Sequence, residues 1–152
     1  MSRFSLISLL SFLVLVVGGG LFIGATNLPG EWYAGLVKPS FTPPNWLFPP
    51  VWTLLYFAIA VAGWRVCALG LTAAPFRLWI LQLVLNFAWS PVVFTLHRLD
   101  FGLGIILALL ITIVLFIRAS WPVDRLAALL FVPYAVWVAY ASALNGALVV
   151  LN

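Results

Sequence analysis

The chain has 152 residues, 66% of them hydrophobic and only 7% charged, with a formal net charge of +4. So little charge cannot cover the surface of a water-soluble domain of this size, and the basic residues lack the clustering that a nucleic-acid surface needs. The composition defines an all-α integral membrane protein, long enough for four or five spans in one domain. Its one cysteine, Cys67, excludes an intrachain disulfide and any multi-cysteine metal site.

The first span is predicted at about 4–26. Arg3 precedes an apolar run that continues to Leu28, and no small-x-small cleavage site follows a short core. That pattern favours a retained helix over a signal peptide. Gly20 and Gly24 form a small-xxx-small pair, which allows close helix approach inside a bundle or at a dimer seam. Pro29-Gly30 ends the helix.

A proline-rich connector follows, over about 29–45. The stretch 31–56 holds Pro39, Pro43, Pro44, Pro49 and Pro50, along with Trp32, Trp46 and Trp52. Proline fixes φ and drives the preceding residue out of the α region, so the connector is stiff and extended. A rigid aromatic loop between two helices reads as a lid. Span two is predicted at about 46–69, with Pro49 and Pro50 in its first turn, where a missing N–H does little harm. Span three covers about 75–96 and span four about 101–117, stopped by Arg118-Ala119-Ser120-Trp121-Pro122. Span five covers about 123–151, with Asp124 near its start, where a carboxylate favours the helix dipole. Five spans put Arg3, Arg65, Arg77, Arg118 and Arg125 on one side and Lys38 and Arg98 on the other. In a cytoplasmic membrane this bias predicts a cytoplasmic N-terminus and an outward-facing lid.

Three spans carry a distinct stripe. Trp52, Tyr56, Ile59 and Gly63 share a face of span two; Gln82, Asn86, Trp89 and Val93 one of span three, with Ser90 beside it; Tyr134, Trp137, Ala141 and Asn145 one of span five. Span four shows only Thr112. An unpaired amide in hydrocarbon costs roughly 4–8 kcal/mol by transfer estimates, so these stripes face inward, toward each other or a cavity. Trp46, Trp64, Trp79 and Trp121 read as interfacial anchors. Trp52, Trp89 and Trp137 lie deeper, either walling a chamber between spans two, three and five or packing against the amides.

These residues carry a resemblance to the TspO/MBR family, the tryptophan-rich sensory proteins and translocator proteins. Three blocks match in order and spacing: Trp32-Tyr33-x-x-Leu36-x-Lys38-Pro39-x-x-x-Pro43-Pro44 continuing through Phe48-Pro49-x-x-Trp52-Thr53-x-Leu55-Tyr56; Gln82-Leu83-x-Leu85-Asn86-x-x-Trp89-Ser90-Pro91; and Val132-Pro133-Tyr134-x-x-Trp137-x-x-x-Ala141-x-x-Leu144-Asn145. The resemblance implies five transmembrane helices, often a homodimer, and a pocket under the first loop for tetrapyrroles such as protoporphyrin IX. In animal members it also implies sterol and drug-like ligands. It implies pocket or neighbouring positions for Tyr33, Asn86, Trp89, Phe94, Ala141 and Asn145, and with these the stripe residues Trp52, Tyr56, Tyr134 and Trp137 are the expected ligand contacts. Trp52 and Trp137 match the two tryptophans that bacterial members use in light-dependent porphyrin breakdown, and they are catalytic only on that reading. Two departures stand out. Phe41 occupies a place where members often have Trp, and no basic residue follows Tyr140, as the sterol motif of animal members requires.

The chemistry agrees with a binding protein. Trp and Tyr faces suit a flat aromatic ligand. Lys38 either meets a ligand carboxylate or anchors the loop at the interface. No cofactor is required, and metal ligation is unsupported, because His97, Cys67 and Met1 all lie at or near the ends of spans. Neither paired carboxylates nor a Ser/His/Asp set falls within the membrane, which leaves Trp-dependent photochemistry as the enzymatic alternative. Glu31, Asp100 and Asp124 sit at span ends or in loops, which disfavours a proton-coupled pump and leaves passive carriage of a porphyrin or sterol as the third reading.

Overall fold

The computed structural model describes residues 5–152, all-helical and without strands among them. Arg3 and the expected start at Phe4 lie outside the described residues. Five helices are long and apolar enough to cross a membrane: α1 (Leu6–Thr26), α3 (Asn45–Cys67), α4 (Ala74–Thr95), α5 (Leu99–Ser120) and α6 (Arg125–Leu151), with a short α2 (Gly30–Ala34) in the first connector. The chain is thus a multi-pass membrane protein. Ser5 caps α1 through a hydrogen bond from Ser8 N. The side chain of Asp124 caps α6, accepting from Ala127 N at 3.0 Å, and binds Arg65 Nε of α3 at 2.9 Å. This ties the C-terminal end of α3 to the N-terminal end of α6.

Two boundaries differ from expectation. Span four continues through Arg118 to Ser120 instead of stopping at 117, because a long arginine stem can reach the interface without breaking the helix. The break comes at Trp121-Pro122, where proline disfavours the helix. Asp124 then becomes the cap of span five rather than a residue inside it, so the helix starts at Arg125. Pro91 and Pro133 sit within α4 and α6. At Pro91 the helix widens by one residue, with Leu96 N reaching Pro91 O at 3.0 Å.

The bundle is packed differently at its two ends. α1 lies against α3 over its first two-thirds, while its last turns contact α4. In the half away from the proline-rich loop, Trp79 closes the space between α3 and α4. It is 3% exposed and donates Nε1–H to Ile59 O at 2.8 Å, with its ring against Phe12 and Phe76. This corrects the interfacial reading of Trp79. The absence of a side chain at Gly63 creates a berth that an indole fills, and the bond to a backbone carbonyl satisfies its N–H away from water. Trp46 and Trp121 are exposed, and Trp64 donates to Ser8 Oγ at 2.9 Å. Gly20 is the tight member of the small-residue pair, because a Cβ there would stand 2.3 Å from the Tyr56 ring, whereas one at Gly24 would meet nothing within 4 Å.

A Cβ on Gly63 would lie 2.2 Å from the Trp79 indole. Gly63→Ala is therefore expected to destabilise the fold by about 1–3 kcal/mol through overpacking. Thermal unfolding in detergent checks it, with Gly24→Ala as the near-neutral control.

Candidate functional site: an aromatic cavity beneath the first loop

At the loop end of the bundle, where α1 leaves α3, a cavity of about 910 Å³ opens under the proline-rich loop. This is within the size range of small-molecule and cofactor sites. All five spans and the loop contribute to its wall. Of the sequence-predicted residues, Tyr33, Lys38, Trp52, Tyr56, Asn86, Trp89, Phe94, Trp137, Ala141 and Asn145 line it. Tyr134 does not. It is fully buried one layer behind the floor, held between Asn86 and Gln82.

The chamber is wider than the stripes of spans two, three and five indicated. Gly20, Leu21 and Gly24 from α1, and Ile106 and Leu109 from α5, complete the wall. Nothing in the sequence separates these aliphatic positions from lipid-facing ones. Only the two glycines gave a signal, since small residues mark places where a helix leaves room.

The inward amides are occupied by the protein itself. Asn145 is 2% exposed, accepts from Trp89 Nε1 at 3.1 Å and donates to Leu99 O at 2.9 Å, so one side chain joins α4, α5 and α6. Asn86 accepts from Tyr56 Oη at 3.3 Å and donates to Tyr134 Oη at 2.6 Å. By contrast, the Trp137 indole N–H is buried with no partner, while its ring lies in the cavity wall beside Phe48 and Tyr140. Trp52 stands on the wall against Tyr56 at 5.4 Å.

The lid has its own fastenings. Lys38 Nζ donates to the carbonyls of Tyr33, Ala34 and Leu36 at 2.7, 3.1 and 3.2 Å, capping the C-terminal end of α2. All three ammonium donors are engaged, and the charge sits 4.8 Å from the Tyr33 ring centre. Burial raises the Tyr33 hydroxyl above its usual pKa, so it stays neutral and able to donate at physiological pH. The Tyr33 ring meets Phe94 edge-on at 5.5 Å, and Trp32 stacks on His97 at 4.2 Å. The Asn152 amide grips Val37 in both directions, accepting from its N–H at 2.9 Å and donating to its carbonyl at 3.0 Å. Tyr140 hydroxyl donates to Phe41 O. Asn152 was missed by sequence reasoning, since a terminal polar residue carries no mark of a contact 115 positions away.

The five-span bundle with an aromatic chamber under a fastened loop defines the class: a multi-pass membrane protein with a cavity within its helix bundle. The sequence profile of the TspO/MBR family matches residues 11–151, and the chain belongs to that family. It is 42% identical over 142 residues to the tryptophan-rich protein TspO of Archaeoglobus fulgidus, covering 91% of this chain and 92% of the relative. It is 36% identical over 122 residues to the tryptophan-rich sensory protein of Cereibacter sphaeroides, covering 80% and 77%. To the human translocator protein it is 37% identical over 135 residues, covering 83% and 79%.

If Asn152 fastens the lid, Asn152→Ala is expected to speed amide hydrogen exchange over residues 36–42 by about 3- to 10-fold, corresponding to loss of roughly one net hydrogen bond. Exchange in α5 should not change. Hydrogen-exchange mass spectrometry of the detergent-solubilised protein makes the comparison.

Proposed function

We propose that this protein is a membrane receptor for tetrapyrroles of the protoporphyrin type and related flat lipophilic molecules, with a sensory or ligand-carrying role. The observation that carries this reading is the aromatic-walled chamber of about 910 Å³ under the proline-rich loop. The rings of Trp52, Trp137 and Tyr33 offer faces and edges to a planar macrocycle. The sensory and translocator names of the relatives agree with it. Lys38 contributes its positive charge at the chamber rim while its hydrogens hold α2, so its role toward a ligand acid is one of field more than direct pairing.

The light-dependent enzymatic reading is supported by one observation, the presence of Trp52 and Trp137 on the same chamber wall. A photo-excited porphyrin held there, with dioxygen as the oxidant, would have two indoles within its cage.

Titration of the purified protein with protoporphyrin IX in the dark is expected to quench tryptophan fluorescence saturably. Trp137→Phe should weaken apparent affinity by about 2- to 10-fold, the effect of losing part of one aromatic face against the macrocycle. Absence of saturation removes the tetrapyrrole reading. Under illumination, the Trp52→Phe/Trp137→Phe double variant should retain the fold and lose bleaching of bound porphyrin. Unchanged bleaching would exclude these indoles from the photochemistry.

A further inference from the structure

The floor of the chamber continues inward as a chain of four hydrogen-bonding side chains. Tyr56 Oη donates to Asn86 Oδ1 at 3.3 Å, Asn86 Nδ2 donates to Tyr134 Oη at 2.6 Å, and Tyr134 Oη donates to Gln82 Oε1 at 3.0 Å. Only Tyr56 and Asn86 touch the chamber, while Gln82 and Tyr134 are fully buried. The chain ends at Gln82 Nε2, which has no partner.

Each member is either a hydroxyl, which both donates and accepts, or a carboxamide, whose half-turn exchanges donor for acceptor. Turning both amides therefore reverses the whole chain. Gln82 Nε2 then donates to Tyr134, Tyr134 to Asn86 Oδ1, and Asn86 Nδ2 to Tyr56. The Tyr56 hydroxyl hydrogen is released toward the chamber.

The two polarities are closely matched. Each leaves one Gln82 atom without a partner, so the buried penalty falls at the same place. The separations fit both. The 2.6 Å link between Asn86 and Tyr134 is short for N–H···O, which centres near ~2.9–3.0 Å, and ordinary for O–H···O, the bond it becomes on reversal. The 3.0 Å link to Gln82 suits either donor.

We propose that this chain is a polarity switch. In one state Tyr56 offers an oxygen acceptor to a ligand N–H; in the other it offers a hydrogen to a ligand carbonyl or carboxylate. Gln82, which touches no ligand, is the positioning residue that keeps both states accessible. Without Gln82, the forward polarity strands the Tyr134 hydrogen in the core, while the reversed polarity gives it Asn86 Oδ1. Gln82→Leu therefore locks Tyr56 as a donor to the chamber.

This proposal rests on the chamber being a ligand site, but the switch itself is readable without ligand. Ultraviolet resonance Raman spectroscopy separates donating from accepting phenols by the intensity ratio of the tyrosine Fermi doublet. The Tyr56 signal is isolated by difference against Tyr56→Phe. Gln82→Leu is expected to move Tyr56 from the intermediate ratio of two exchanging polarities to the accepting ratio, and to have no such effect in a Tyr134→Phe background, where the chain is already cut. An unmoved doublet overturns the switch. If Gln82→Leu does not fold, Gln82→Met, of similar length and without the amide, takes its place.

The ligand consequence is read with three matched tricyclic probes: carbazole with one N–H, fluorenone with one carbonyl, and fluorene with neither. The fluorenone-to-carbazole affinity ratio should rise about 5- to 10-fold in Gln82→Leu, with fluorene unchanged, and Tyr56→Phe should erase the difference. An equal change for all three probes marks a packing effect and overturns the specificity role. A doublet that moves while no probe binds keeps the switch and removes the ligand reading.

Discussion

Inside a bilayer every polar side chain must find its partner within the protein, and three carboxamides impose that rule on this bundle. Gln82 and Asn86 fix the rotation of α4, and Asn145 fixes α6. Asn145 does the most. It takes the Trp89 N–H and gives its own to a backbone carbonyl at the start of α5, so three helices meet at one side chain. With α4 and α6 turned this way, Trp89 and Trp137 come to the same side of the bundle as Trp52. The aromatic chamber follows from satisfying the amides.

The same constraint explains why the two halves of the bundle differ. Away from the loop Trp79 fills the gap left by Gly63 and spends its N–H on a carbonyl. Beneath the loop no side chain fills the space where α1 moves off α3, and among the described residues one buried indole N–H, that of Trp137, is left without an acceptor. A packed half beside a hollow half gives the chamber a rigid base.

The lid joins stiffness to weak attachment. Its prolines limit the conformations it can visit, and Lys38 turns α2 into a closed unit by capping its carbonyls. The fastenings to the bundle are few: Asn152 at Val37, Tyr140 at Phe41, and the Trp32–His97 and Tyr33–Phe94 ring contacts. A stiff element held at a few points is able to move as one body.

The sequence by itself determined the class, the five spans and the inward faces. Hydropathy over some twenty residues decides spanning, and an amide at helical spacing with Trp and Tyr has only one direction to face in hydrocarbon. It also placed ten of the eleven named side chains on the chamber wall. Only the tertiary structure decided which polar atoms are already engaged: Asn86 and Asn145 hold helices together, Lys38 holds its own loop, and Trp137 alone among these keeps a donor free. It moved Trp79 from the interface to the core, put Tyr134 behind the floor, and brought in aliphatic residues of α1 and α5 as walls. The reason is physical. Periodicity reports the direction of a side chain within its own helix, whereas its partner is fixed by the register between helices and by the space a glycine on a neighbouring helix leaves open.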